Sequence, residues 1–117
     1  MRIAVRRVRE PATASDGCRV LVDRLWPRGL AKAKANVSIW LKEIAPSTDL
    51  RRQLHGGEID WPTFETLYRA ELDANPQAVA RLRDLIGEGH VTLLYDTHDT
   101  AHNHASLLAD YLTGRRA

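Results

Sequence analysis

Two short apolar runs, CRVLVD at 18–23 and HVTLLY at 90–95, constrain this chain more than any other feature. Each is too short for a stable helix and rich in β-branched or other large apolar residues. The first is bounded by the turn pair Asp16-Gly17 before it and by Trp26-Pro27 after it. Runs that lack polar alternation read as strands buried on both faces, and such strands need other layers above and below them. The span between the two runs supplies helical patterning. Val37, Trp40, Leu41 and Ile44 stand at helical spacing in 37–45, stopped by Pro46. Ser47 or Thr48 caps DLRRQLH, which ends at Gly56-Gly57. Pro62 opens PTFETLYRAEL, with Phe64, Leu67, Tyr68 and Leu72 on one face; Asn75-Pro76 opens QAVARLRDLI, closed by Gly87. Beyond the second run, AHNHASLLADYL predicts a last helix with Ala101, Ala105, Leu108 and Leu112 inward.

At the other end, RIAVRRV (2–8) alternates Ile3, Val5 and either Arg7 or Val8 with charge, the pattern of a half-buried strand. A residue before proline avoids helix, so 24–29 is extended loop. The expected fold is α/β: a small mixed or parallel sheet packed with helices, in a single compact domain over 1–117. The link from 3–8 to 18–23 is too short for a helical crossover and leaves room for one antiparallel pairing. A chain of 117 residues, 44% hydrophobic, buries one core without disulfides or metal. The single cysteine, Cys18, has no internal partner and fits a reducing setting. No segment has the apolar length of a signal peptide or membrane span, so a cytoplasmic protein with no membrane partner is expected.

The net charge is +2, but it is unevenly spread: residues 1–34 hold nine Lys/Arg against three Asp/Glu, and residues 35–117 hold eight against twelve. Fourteen of the seventeen basic residues are arginine, whose planar fork grips phosphate and carboxylate. Pairing of these arginines with the acidic part of the chain is the competing explanation.

In open α/β sheets, ligands gather beyond the carboxyl ends of the strands. Two loops leave those ends here, DRLWPRG (23–29) and DTHDTAHNH (96–104). In the first, Arg24 and Arg28 offer guanidinium forks to an oxyanion, and Trp26 either stacks on a ring or plugs the core. Asp23 either orients an arginine, pairs with Arg28 or serves as a base; Lys32 and Lys34 extend the positive patch or form a solvated face. In the second, Asp99 is a candidate N-cap that would set His102 and Asn103 in a first helical turn, where free backbone N–H groups favour an anion. His102 either acts at the site or hydrogen-bonds the loop, and His104 faces either solvent or a neighbouring strand. Tyr95 ends its strand at the same edge, as a hydrogen-bond donor or as core. His98, His102 and His104 match no recognised ligand spacing, so no metal site is expected and no cofactor follows. No Gly-x-Ser-x-Gly is present, and Cys18 opens a strand instead of closing one.

DGCRVLVDRLWPRGLAKAKA, WLKEIAPSTDLRR, FETLYRAELDANP and VTLLYDTHDTAHNHASLLADYL together resemble the YeaO-like branch of domain-of-unknown-function family 488, in order and across nearly the whole chain. The resemblance singles out Asp23, Arg24, Trp26, Pro27, Arg28, Gly29 and Lys32 in the first loop region. It then marks Trp40, Lys42, Glu43, Pro46 and Ser47, followed by Phe64, Tyr68, Glu71 and Leu72. Last come Tyr95, Asp99, His102, Asn103 and His104. It implies that the two loops form one site. Ser38, Asp96 and His98 stand where aspartate, alanine and lysine are common in the family, which sets His98 outside any shared mechanism.

Two functions follow as expectations. The first is a small enzyme or ligand-binding domain with its pocket between the 23–29 and 95–104 loops. Asp23, Asp99 and His102 would act there as acid/base groups; Arg24, Trp26, Arg28, Tyr95, Asn103 and His104 would hold a nucleotide or other phosphorylated metabolite. The second is a non-catalytic module that binds nucleic acid or protein through the basic N-terminal third.

Overall fold

The computed structural model describes residues 3–114. Four strands are present: β1 (Ile3–Arg7), β2 (Cys18–Leu21), β3 (Ile39–Trp40) and β4 (Val91–Tyr95). The helices are α1 (Lys32–Ala35), α2 (Thr48–His55), α3 (Trp61–Asp73), α4 (Pro76–Gly87) and α5 (His104–Thr113), with 3-10 turns at Ala14–Asp16 and Lys42–Ile44.

The sheet order is β1-β4-β2-β3 and all pairings are parallel. The room left for an antiparallel pair is therefore not used. β4 inserts between β1 and β2, so the short link joins two strands that are not neighbours and needs no hairpin. Leu93 stands opposite Val5 on one side and Val20 on the other, which fixes the register of the centre.

Alternate side chains of these strands point to opposite faces. Val20, Val22, Leu93 and Tyr95 join Phe64, Tyr68, Leu72, Leu82 and Leu108 in one large core under α2–α5. Leu21, Leu94 and Val8 form a smaller cluster with Ala35, closed by half-buried Trp26, Leu30, Val37 and Trp40. Beside it lies an ionic cluster. Asp16 accepts from Arg6 at 2.8 Å and from Arg19 at 2.6 Å, and Arg19 also donates to the carbonyls of Ala35 and Asn36. Burial alone would push the Asp16 carboxyl up. Hydrogen bonds from the Thr13 N–H and hydroxyl, Arg19 and Arg6 outweigh it and hold Asp16 well below the usual carboxylate range. Gly17 follows with φ +65°, and a Cβ there would fall 2.3 Å from the His90 carbonyl oxygen, so only glycine closes this turn.

The helices α2, α3 and α4 lie where expected: Ser47 accepts from Leu50 N–H, Asp60 accepts from Thr63 N–H, and Pro62 and Pro76 sit in first turns, while the Asn75 side chain does not cap α4 and donates to the Glu43 carbonyl. Two expectations fail. Residues 37–45 are not a helix: Ile39 and Trp40 add an edge strand to β2, and a 3-10 turn follows. β-Branched Val37 and Ile39 beside an open sheet edge outweigh four residues at helical spacing. The last helix begins at His104, capped by Asn103 and not by Asp99, which leaves Ala101 exposed before it.

Candidate functional site

β2 and β4 are neighbours and parallel, so their exit loops leave the same edge side by side. Between them opens a cleft of about 660 Å³. The first loop lines it with Asp23, Trp26 and Arg28, and the second with Asp99, His102, Asn103 and His104. Residues some seventy positions apart thus share one rim. Arg9 and Asp23 tie the loops together. The Arg9 guanidinium binds Asp96 at 2.7 Å and the Arg28 carbonyl at 2.7 Å, while Asp23 accepts the Asp96 N–H at 3.2 Å. Arg7 adds a hydrogen bond to the Thr97 carbonyl.

Asp23 does not pair with Arg28. Its Oδ1 lies 2.9 Å from His104 Nε2, which also stands 3.1 Å from the Val22 carbonyl. Two acceptors around Nε2 require the ring hydrogen to sit there, which leaves Nδ1 as the acceptor of the neutral ring. The N–H aligns with the Val22 carbonyl, so Asp23 Oδ1 is buried beside the ring with no directed hydrogen bond.

Asp99 accepts the backbone N–H groups of His102 and Ala101, which hold its carboxyl below the ordinary value and keep it ionised. That makes it a loop-former and a weak base. The His102 ring is exposed and stacks on Trp61, centroids 5.1 Å apart, and Trp61 stacks in turn on Phe64. Asn103 is buried; its side chain accepts from Ser106 N–H and donates to the Asp99 carbonyl, so it is a helix cap before it is a ligand contact.

Two residues expected at the site, Arg24 and Tyr95, are placed otherwise, and a third, Trp26, is shared. Arg24 donates to the carbonyls of Ala45 and Pro46 and does not line the cleft. Tyr95 lies in the large core, where burial raises its hydroxyl pKa. Trp26 touches the cleft, but its indole N–H donates to Leu30 and its ring packs edge-on against Trp40, so it serves the smaller cluster as well.

Other lining residues come from helices that carried no site expectation: Arg51 and His55 of α2 and Trp61 of α3. Arg51 and His55 stand four apart on one helix face, the one sequence signal that would have found them. The guanidiniums of Arg28 and Arg51 have no hydrogen-bond or ionic partner among the described residues. Among the described residues no group of three or more metal-ligating side chains is assembled, and no helix is long and apolar enough to cross a membrane.

Comparison with known proteins adds a family. Residues 2–117 match the family DUF488-N3i, described as the inactive DUF488-N3 subclade. The chain is 48% identical over 112 residues to the uncharacterized protein YeaO of Escherichia coli K12, covering 96% of this chain and 97% of that one. It is 42% identical over 114 residues to the uncharacterized protein Rv3073c of Mycobacterium tuberculosis H37Rv, covering 97% and 96%. No solved structure matches it. On a match that runs nearly end to end, the chain belongs to the inactive DUF488-N3 subclade, as a YeaO-like member of the DUF488 family.

Proposed function

We propose that the protein is a ligand-binding domain whose cleft takes a small phosphorylated molecule. One observation carries this reading: Arg28 and Arg51, from different elements, line the same cleft, and their guanidiniums have no partner among the described residues. Asp23, Asp96 and Asp99 line the cleft too, but Asp96 is bound by Arg9, Asp23 lies against His104 and Asp99 accepts backbone N–H groups, which leaves these two forks suited to phosphate oxygens. The ring stack of Phe64, Trp61 and His102 supplies an apolar wall beside them. Asp23 and His104 brace one another at the cleft floor, and Asp99 shapes the loop that presents His102. Binding is preferred to catalysis because Asp99 is held ionised by backbone N–H groups and the family is described as inactive.

The nucleic-acid reading loses its main support. Arg6, Arg7, Arg9, Arg19 and Arg24 all direct their guanidiniums at groups within the protein. The basic excess of the N-terminal third is thus largely engaged and not offered to a phosphate backbone.

Thermal-shift and calorimetric titration with inorganic pyrophosphate and nucleoside phosphates test the proposal on the wild type, Arg28→Ala and Arg51→Ala. Stabilisation of the wild type is expected, with affinity falling about tenfold or more in each variant, the scale of a lost charge-assisted hydrogen bond. No response to any phosphorylated compound, or an equal response in all three proteins, would overturn it.

A further inference from the structure

A second cavity, of about 460 Å³, adjoins the first. Trp61, His102 and Asn103 line both. Asn103 is fixed as the α5 cap, so the stacked rings of Trp61 and His102 are the partition between the two spaces. The two halves of this partition are held unequally. Trp61 packs against the large core and is stacked on Phe64. The His102 side chain is 60% exposed, and its nearest ionic partner, Asp99 Oδ2, is 3.9 Å away. Its backbone N–H is anchored on Asp99, so the ring can swing aside while the loop stays in place.

The spaces on either side differ in chemistry. The first presents Arg28 and Arg51; the second is edged by Ser106, Glu65 and Asp110. The first also holds Asp23, Asp96 and Asp99, but arginine lines that side alone, and between the two spaces a flat aromatic surface is covered by a displaceable ring.

We infer that the ligand is a nucleotide whose base takes the place of His102 against Trp61; this rests on the phosphate-binding reading above. The phosphates meet Arg28 and Arg51, the sugar fills the first cavity, and the base crosses the opened partition. Its exocyclic amino group then donates to the acceptors of the second cavity. Stacking on Trp61 is exchanged for stacking on Trp61, so displacing the imidazole costs little beyond its own ring contact.

Titration of the full chain with ADP and with inorganic pyrophosphate, in the wild type, His102→Ala and Trp61→Leu, tests this. The wild type is expected to bind ADP about tenfold more tightly than pyrophosphate. His102→Ala should tighten ADP about threefold and leave pyrophosphate unchanged, because the partition is already open. Trp61→Leu should abolish the advantage of ADP while pyrophosphate still binds. If Trp61→Leu fails to fold, the exposed His102 position decides alone. Equal binding of the two probes by the wild type, or ADP binding that weakens or stays level in His102→Ala, overturns the inference and leaves the phosphate site standing. Failure of both probes to bind the wild type overturns the two together.

Discussion

On one face of the sheet, Val20, Val22, Leu93 and Tyr95 meet four helices; on the other, Leu21 and Leu94 meet a loop, one turn of α1 and two half-buried indoles. The helical face is closed by apolar area, the dominant favourable contribution to most folds. The thinner face has too little chain above it for that. A buried carboxylate and two arginines take up part of the work, joined to β4 where the Thr92 hydroxyl donates to the Asp16 carbonyl at 2.7 Å. A thin layer over a parallel sheet can hold through directed bonds what it lacks in thickness, but each such bond then matters singly.

That contrast can be broken most sharply at Asp16. Asp16→Ala leaves the Arg19 guanidinium, 4% exposed, without its carboxylate, and is expected to cost about 3–5 kcal/mol in denaturant unfolding. The same group predicts acid sensitivity. Its folded pKa lies below its unfolded value, so its stabilisation is complete above the ordinary carboxylate range and is lost as pH falls through that range toward the folded value. Asp16→Asn should therefore flatten the acid side of the stability–pH curve. Next come two leucines adjacent in sequence. Leu93→Ala, under the helices, should cost about 3–4 kcal/mol, and Leu94→Ala about 2–3, since half-exposed Trp26 and Trp40 can settle into the space. Equal losses would show that the thin face is packed as rigidly as the thick one. Asn103→Ala removes the α5 cap and should cost about 1 kcal/mol by thermal melt. The smallest effect is expected at the cleft rim, where Arg28→Ala should change stability by less than about 0.5 kcal/mol.

Strands buried on both sides were legible because CRVLVD and HVTLLY have no polar face to hide, and α2 to α4 were legible through their caps and prolines. β3 was not: two residues carry no period, and Ile39 and Trp40 become a strand only because β2 has an open edge. Asp99 and Asn103 are both good caps by chemistry, and the choice between them depends on where β4 delivers the chain. The meeting of the two loops followed from strand exits alone. Arg51 and Trp61 did not, because their approach to the cleft is set by how α2 and α3 lie across the sheet. Arg24 misled for a related reason: two backbone carbonyls outside the local sequence take its guanidinium.

The central strand is the last to be made. β1 and β2 each find their main partner in residues 91–95, so a polypeptide emerging from the ribosome holds three orphaned strands, of which only β2 and β3 can pair, until about four-fifths of it has been synthesised. Assembly is therefore gated by a late, distant event, the kind that slows folding. A product truncated before position 91 keeps the caps of α2 and α3 but has no axis on which to build a sheet.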